Sequence, residues 1–164
     1  MKYFLLNGEI DCETIQPVLD FIGNNEGELQ IGICSGGGDN DVMRFLQDAL
    51  NANAERVTLV AMQGIYSAAF EIFVKYSGKR KMTTGTRGMY HYSGLQVRNN
   101  ALGVFTDEEE RTAVKFNRKY RLLEQTDLAK RFMTPAEFKK FRSSKDVYFD
   151  FERMKEICPN CKII

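Results

Sequence analysis

Residues 56–75, RVTLVAMQGIYSAAFEIFVK, change hydrophobic period halfway along, and that change sets the fold class. Residues 56–62 are an apolar, partly β-branched run of strand length, whereas from Ser67 onward Ala68, Ile72 and Phe73 recur on one helical face. The residues between them, 62–66, read as the turn, and a serine followed by two alanines closes it. A strand passing through a short turn into a helix is half of a parallel βαβ unit.

Toward the N-terminus the same order repeats. Residues 29–34 (LQIGIC) read as a strand, Gly36-Gly37-Gly38 as the turn, and Val42, Phe45, Leu46, Ala49 and Leu50 mark the apolar face of the next helix. Residues 2–6 (KYFLL) form a strand ending at Asn7-Gly8. Thr14 then caps a helix with Pro17 in its first turn and Ile15, Val18, Leu19 and Ile22 inward. Toward the C-terminus, Gly78-Lys79-Arg80 turn the chain into extended structure over 81–92, which ends at His91-Tyr92. A long charged helix is expected from Asp107 to about Phe132, with Val114, Tyr120, Leu123 and Leu128 among its apolar residues. Thr134 as cap, Pro135 at the first position and Glu137 as partner of a capping box start another helix. Val147-Tyr148-Phe149 reads as a short strand, Phe151 to Ile157 as a last helical turn or two, and 158–164 as a loose tail. No linker or repeat divides the chain, so 1–164 reads as a single α/β domain whose strands are joined by crossover helices.

Composition excludes several classes. A chain of 164 residues, 43% apolar and 27% charged, has the size and make-up of a soluble domain, and no apolar run reaches the length that spans a bilayer. The start, MKYFLLNGEIDCE, lacks the pattern of a secretory signal, so a cytoplasmic protein with four reduced cysteines is expected. The net charge of +1 conceals a polarity: residues 1–75 balance at −7 and residues 76–164 at +8. Solvated helix faces and subunit association account for that asymmetry, and no interleaving of aromatic and basic residues marks a nucleic-acid surface. Cys158-Pro-Asn-Cys161 has the spacing of half a zinc site, but without a second pair neither metal nor another cofactor is expected.

The chemistry concentrates in two strand-to-helix turns. Consecutive glycines let a backbone approach a ligand closely and present amide donors, so Gly37 and Gly38 are candidates for holding an oxyanion; three glycines also make a plain tight turn. Ser67 lies where a helix start and the Ala68 amide can stabilise negative charge, although a serine at that place is equally a helix cap. The single histidine, His91, follows Ser67 by 24 positions at the end of the next extended segment, and an imidazole is the side chain suited to take a hydroxyl proton near neutral pH.

Glycine turn, serine at a helix start and histidine at a strand end occur in that order within NGEID (7–11), CSGGGDNDV (34–42), MQGIYSAAFEIF (62–73) and RGMYHYSG (87–94). These segments resemble, in sequence and spacing, those of the Clp protease proteolytic subunit, a member of the broader crotonase-like superfamily. The resemblance spans most of residues 3–157. It implies a ClpP/crotonase-like spiral of repeated β-β-α units, with residues 94–132 as a helical handle-like extension. It also implies a serine peptidase with an acyl-enzyme mechanism: Ser67 as nucleophile, His91 as base, and Gly37, Gly38 and the Ala68 amide around the oxyanion. The third triad member is Asp146 on one alignment and Asp127 on another, and a triad without an acid stays open. Gly36 stands where the family has proline.

By the same resemblance the substrate is a peptide or unfolded protein and the chain forms a homo-oligomer, a ring being one form open to it. An ATPase unfoldase is not expected as partner, because the first strand starts at the chain's beginning, without the family's preceding docking segment. Two other functions remain open: a catalytically weak or inactive assembly subunit, and a crotonase-type enzyme using the same amides on an acyl-coenzyme A.

Overall fold

The computed structural model describes residues 1–92 and 107–164, so the extended start of the handle-like extension, 94–106, lies outside the described residues. Two compact units emerge, one formed by Met1–Tyr90 with Tyr148–Ile164 and the other by His91–Val147.

The first unit alternates strand and helix as the periodicities predict: β1 (Lys2–Asn7), α1 (Cys12–Gly23), β2 (Leu29–Ser35), α2 (Asn40–Ala52), β3 (Val57–Tyr66) and α3 (Ala68–Lys75). β4 (Lys79–Met82) and β5 (Arg87–Tyr90) follow. β1, β2, β3 and β4 lie side by side in parallel, the arrangement that crossover helices enforce. Leu29, Ile31, Ile33, Val57, Leu59 and Ala61 are buried, as are Ile15, Val18 and Ile22 of α1 and Ile72 and Phe73 of α3. Burying each of the valine, leucine, isoleucine and phenylalanine side chains contributes roughly 1.5–3 kcal/mol.

Several local expectations shift. The α1 cap is Asp11: its carboxylate accepts the Thr14 N–H at 2.8 Å, while the Asp11 N–H donates to the Thr14 hydroxyl at 3.0 Å. Thr14 is thus the inner partner of a capping box, and Pro17 falls inside the helix rather than in its first turn. The Thr14 backbone N–H, and after it the Thr14 side chain, hold the Asp11 carboxyl below its ordinary pKa. On α2 the buried face is Met43, Leu46, Gln47 and Leu50, while Phe45 is 61% exposed. An apolar period fixes the width of a stripe but not which of its edges meets the core.

The largest shift concerns β3. Residues 62–66, expected as a turn, continue the strand through a bulge: Ile33 pairs with Ala61 but Ser35 with Ile65, and Gln63 takes a positive φ of 55°. The bulge bends β3 so that 58–61 pair with β4 and 64–66 pair with β5. One strand therefore serves two branches of the sheet, and Ser67 follows its far end. The expected loose tail is also ordered. After β6 (Val147–Phe149), which pairs with β5, and α6 (Phe151–Ile157), β7 (Lys162–Ile163) adds to β4 in parallel, and Cys158 and Cys161 are buried. Backbone pairing, together with two buried thiols and the Arg80 guanidinium 3.7 Å from the Cys158 sulfur, accounts for that order.

The second unit is helical. α4 (Asp107–Phe132) has the predicted limits, and α5 (Pro135–Arg142) starts where predicted and carries the predicted Thr134–Glu137 capping box. The Thr134 N–H donates to the Glu137 carboxylate at 2.7 Å. Phe116, Tyr120 and Leu123 are exposed on α4, whereas Arg121, Gln125, Leu128 and Ala129 are buried. Among the described residues no helix is long and apolar enough to cross a membrane.

Candidate active site

Ser67 occupies a sharp corner between β3 and α3, with φ 54° and ψ −117°, a conformation uncommon for a residue bearing a Cβ. As first flanking residue of α3 it makes no side-chain cap hydrogen bond, which removes the ordinary reason for a serine there. Its backbone is held on both sides instead: the N–H donates to the Met89 carbonyl of β5 at 2.8 Å, and the carbonyl accepts the Glu71 N–H of α3 at 3.0 Å. The strain is local and the neighbours over-determine it.

The glycine turn is pressed against that corner. A Cβ at Gly37 would fall 2.7 Å from the Ser67 Cβ, 2.9 Å from the Tyr66 carbonyl and 3.2 Å from the Ala68 nitrogen, and φ at Gly37 is +104°. Only glycine meets both demands. Gly38, at φ +153°, packs on the backbone of Ile10, and the loop is tied there by Ile10 N–H to Gly37 carbonyl at 2.7 Å and Asp39 N–H to Ile10 carbonyl at 2.8 Å. The Gly37 N–H itself donates to the Ser35 hydroxyl at 3.1 Å, so Gly37 contributes close approach more than a ready donor. At Gly36 a Cβ would meet nothing within 4 Å, so that glycine answers no demand for space.

In the second unit His91 and Asp146 come together, with Nδ1 3.3 Å from Oδ1. Their side chains are 33% and 47% exposed, so the pair is one that water still reaches. A carboxylate at Nδ1 favours the tautomer with its proton on that nitrogen, leaving Nε2 as the basic atom. Asp127, the rival acid, instead lies 3.6 Å from the Lys130 ammonium.

In the first unit, the Glu71–Tyr90 pair was not foreseen from the sequence. Glu71, one helical turn beyond Ser67, is 1% exposed, and its carboxylate accepts the Tyr90 hydroxyl at 3.1 Å and pairs with Lys75 at 3.0 Å. The available signal was a lone carboxylate within AAFEIFV, where every neighbour is apolar. Burial pushes the Cys161 thiol up to about 12 and raises that of Cys158, which disfavours thiolate chemistry at either sulfur. No three His, Cys, Asp or Glu side chains among the described residues group so as to hold a metal ion.

Comparison with known proteins agrees with this architecture. No family model matches the chain, and no curated protein matches it by sequence. Among solved structures it is similar to a ClpP1 mutant from Listeria monocytogenes, with a TM-score of 0.65 and 18% identity over 99% of this chain and 90% of that one. It is similar also to the ClpP protease catalytic domain from Plasmodium falciparum, with a TM-score of 0.64 and 20% identity over 99% of this chain and 84% of that one. The protein thus has the Clp protease fold, with the α/β architecture that the resemblance implied.

Proposed function

We propose that the protein is a serine peptidase of the Clp type. The observation that carries this reading is the Ser67 corner: a strained serine without a capping role, packed on a glycine that admits no side chain. In the proposed reaction His91 takes the Ser67 proton through Nε2 as the hydroxyl oxygen attacks a peptide carbonyl. The amides of Ala68 and Gly38 receive the oxyanion. Asp146 keeps the imidazole in its tautomer and stabilises the imidazolium, which then protonates the leaving amine; water, deprotonated by the same histidine, releases the acyl group. A cytoplasmic setting and a homo-oligomer acting on peptide or unfolded chains accompany the reading. The exposed Phe116, Tyr120 and Leu123 of α4 favour self-association.

A fluorophosphonate probe should label the folded protein at Ser67, and Ser67→Ala and His91→Ala should each abolish labelling and lower peptide hydrolysis by roughly 10⁴-fold or more. A folded wild-type chain that neither takes the probe nor cleaves unstructured peptides would refute the peptidase and leave a non-catalytic assembly subunit. Saturable coenzyme A binding would point instead to acyl-thioester chemistry.

A further inference from the structure

Four links close a ring around the nucleophile corner. The Ser67 N–H donates to the Met89 carbonyl at 2.8 Å; Met89 is bonded to Tyr90; the Tyr90 hydroxyl donates to the Glu71 carboxylate at 3.1 Å; and the Glu71 N–H donates to the Ser67 carbonyl at 3.0 Å. Three of these links are backbone features that many sequences would supply. The fourth depends on two particular side chains, Glu71 at 1% exposure and Tyr90 at 1%.

A carboxylate inside an apolar helix is expensive to bury, and a leucine at position 71 would pack there without that cost. Lys75, one turn further along α3 and 35% exposed, balances the charge at 3.0 Å, while the Tyr90 ring lies 5.5 Å from that of Phe70. The hydroxyl-to-carboxylate bond fixes the last residue of β5 against the first turns of α3. The next residue in the chain is His91.

We propose that Glu71 and Tyr90 are positioning residues, whose side-chain hydrogen bond clamps the end of β5 to α3 and so fixes the backbone from which His91 departs. The role of the clamp in turnover rests on the peptidase reading above; its effect on the histidine does not. Displacing a base by about 1 Å lowers turnover on the order of 10²-fold while leaving substrate binding alone. Loss of the clamp should therefore lower kcat by roughly 10- to 100-fold at constant KM.

The test uses the full chain, in which His91 is the only histidine and gives the only imidazole signals in a ¹H–¹⁵N spectrum. Tyr90→Phe keeps the ring and removes the hydroxyl. It should shift or broaden the His91 ring signals and lower kcat at constant KM. Glu71→Leu should do the same, whereas Glu71→Gln keeps an acceptor for the tyrosine and should restore wild-type signals. A purely structural bond would lower the melting temperature of Tyr90→Phe and leave both signals and kcat unchanged, which would overturn the proposal. If Glu71→Leu fails to fold, Tyr90→Phe decides alone. If the wild type hydrolyses nothing, the peptidase reading falls and the imidazole spectra still decide the clamp.

Discussion

The corner at Ser67 and the His91–Asp146 pair are held by different kinds of force. At Ser67 the geometry is a property of the backbone: a left-handed φ, two main-chain hydrogen bonds and a glycine at a distance no Cβ tolerates. At His91 it is a property of two side chains, 3.3 Å apart and a third to a half exposed, with rotamer freedom and water to compete against. The Ser67 corner is therefore set when the sheet forms, whereas the His91–Asp146 pair is set by weaker, local and exchangeable contacts. Injury to the first should cost fold and activity together, and injury to the second should cost activity alone.

The largest effect should come from Gly37→Ala, whose new methyl meets the Ser67 Cβ and whose φ is unfavourable. A stability loss of about 3 kcal/mol, read by urea unfolding, should accompany complete loss of fluorophosphonate labelling. Wild-type stability in that variant would mean the corner yields, and would dissolve the contrast. Next, Asp146→Asn should lower kcat roughly 10²- to 10⁴-fold by releasing the imidazole tautomer, yet change stability by less than about 1 kcal/mol because the pair is exposed.

A smaller effect follows from titration in the first unit. Burial pushes the Tyr76 hydroxyl, which donates to the Val57 carbonyl at 2.7 Å, up to about 12, as it does the Cys161 thiol. Both pKa values are raised above those of the unfolded chain, so the stability they carry is complete below about pH 9 and is lost as pH rises from there toward 12. Unfolding free energy measured from pH 8 to 11 should fall, and Cys161→Ala should flatten part of the slope. Smallest of all, Asp127→Asn should leave kcat within about twofold and stability within roughly 0.5 kcal/mol, since this carboxylate meets only an exposed lysine among the described residues. A loss of turnover as large as that expected for Asp146→Asn would instead favour Asp127 as the acid of the proposed triad.

Much of the fold was legible from period and punctuation. The limits of α4 and α6, the start of α5 with its Thr134–Glu137 capping box and the strand-helix alternation of the first unit all rest on local signals that tertiary packing did not override. The failures have a common cause. At α1 the choice between Asp11 and Thr14 as cap depended on which backbone donor each could reach, and at α2 the apolar period alone did not single out the edge of the stripe that meets the core. The ordered end of the chain depended on an open edge of β4 some eighty residues earlier, a partner that no local window contains.

The sequence by itself determined that a serine would stand at a strand-to-helix junction behind a glycine turn, with the one histidine following at a strand end, because hydrophobic period and residue order are local properties. Only the tertiary structure decided that the residues before Ser67 are bulged strand rather than turn, that Gly37 is a steric necessity, and that Asp146 rather than Asp127 stands beside His91. Those outcomes depend on which distant segments come to lie within a few ångströms of one another. Strand register and chain path settle that.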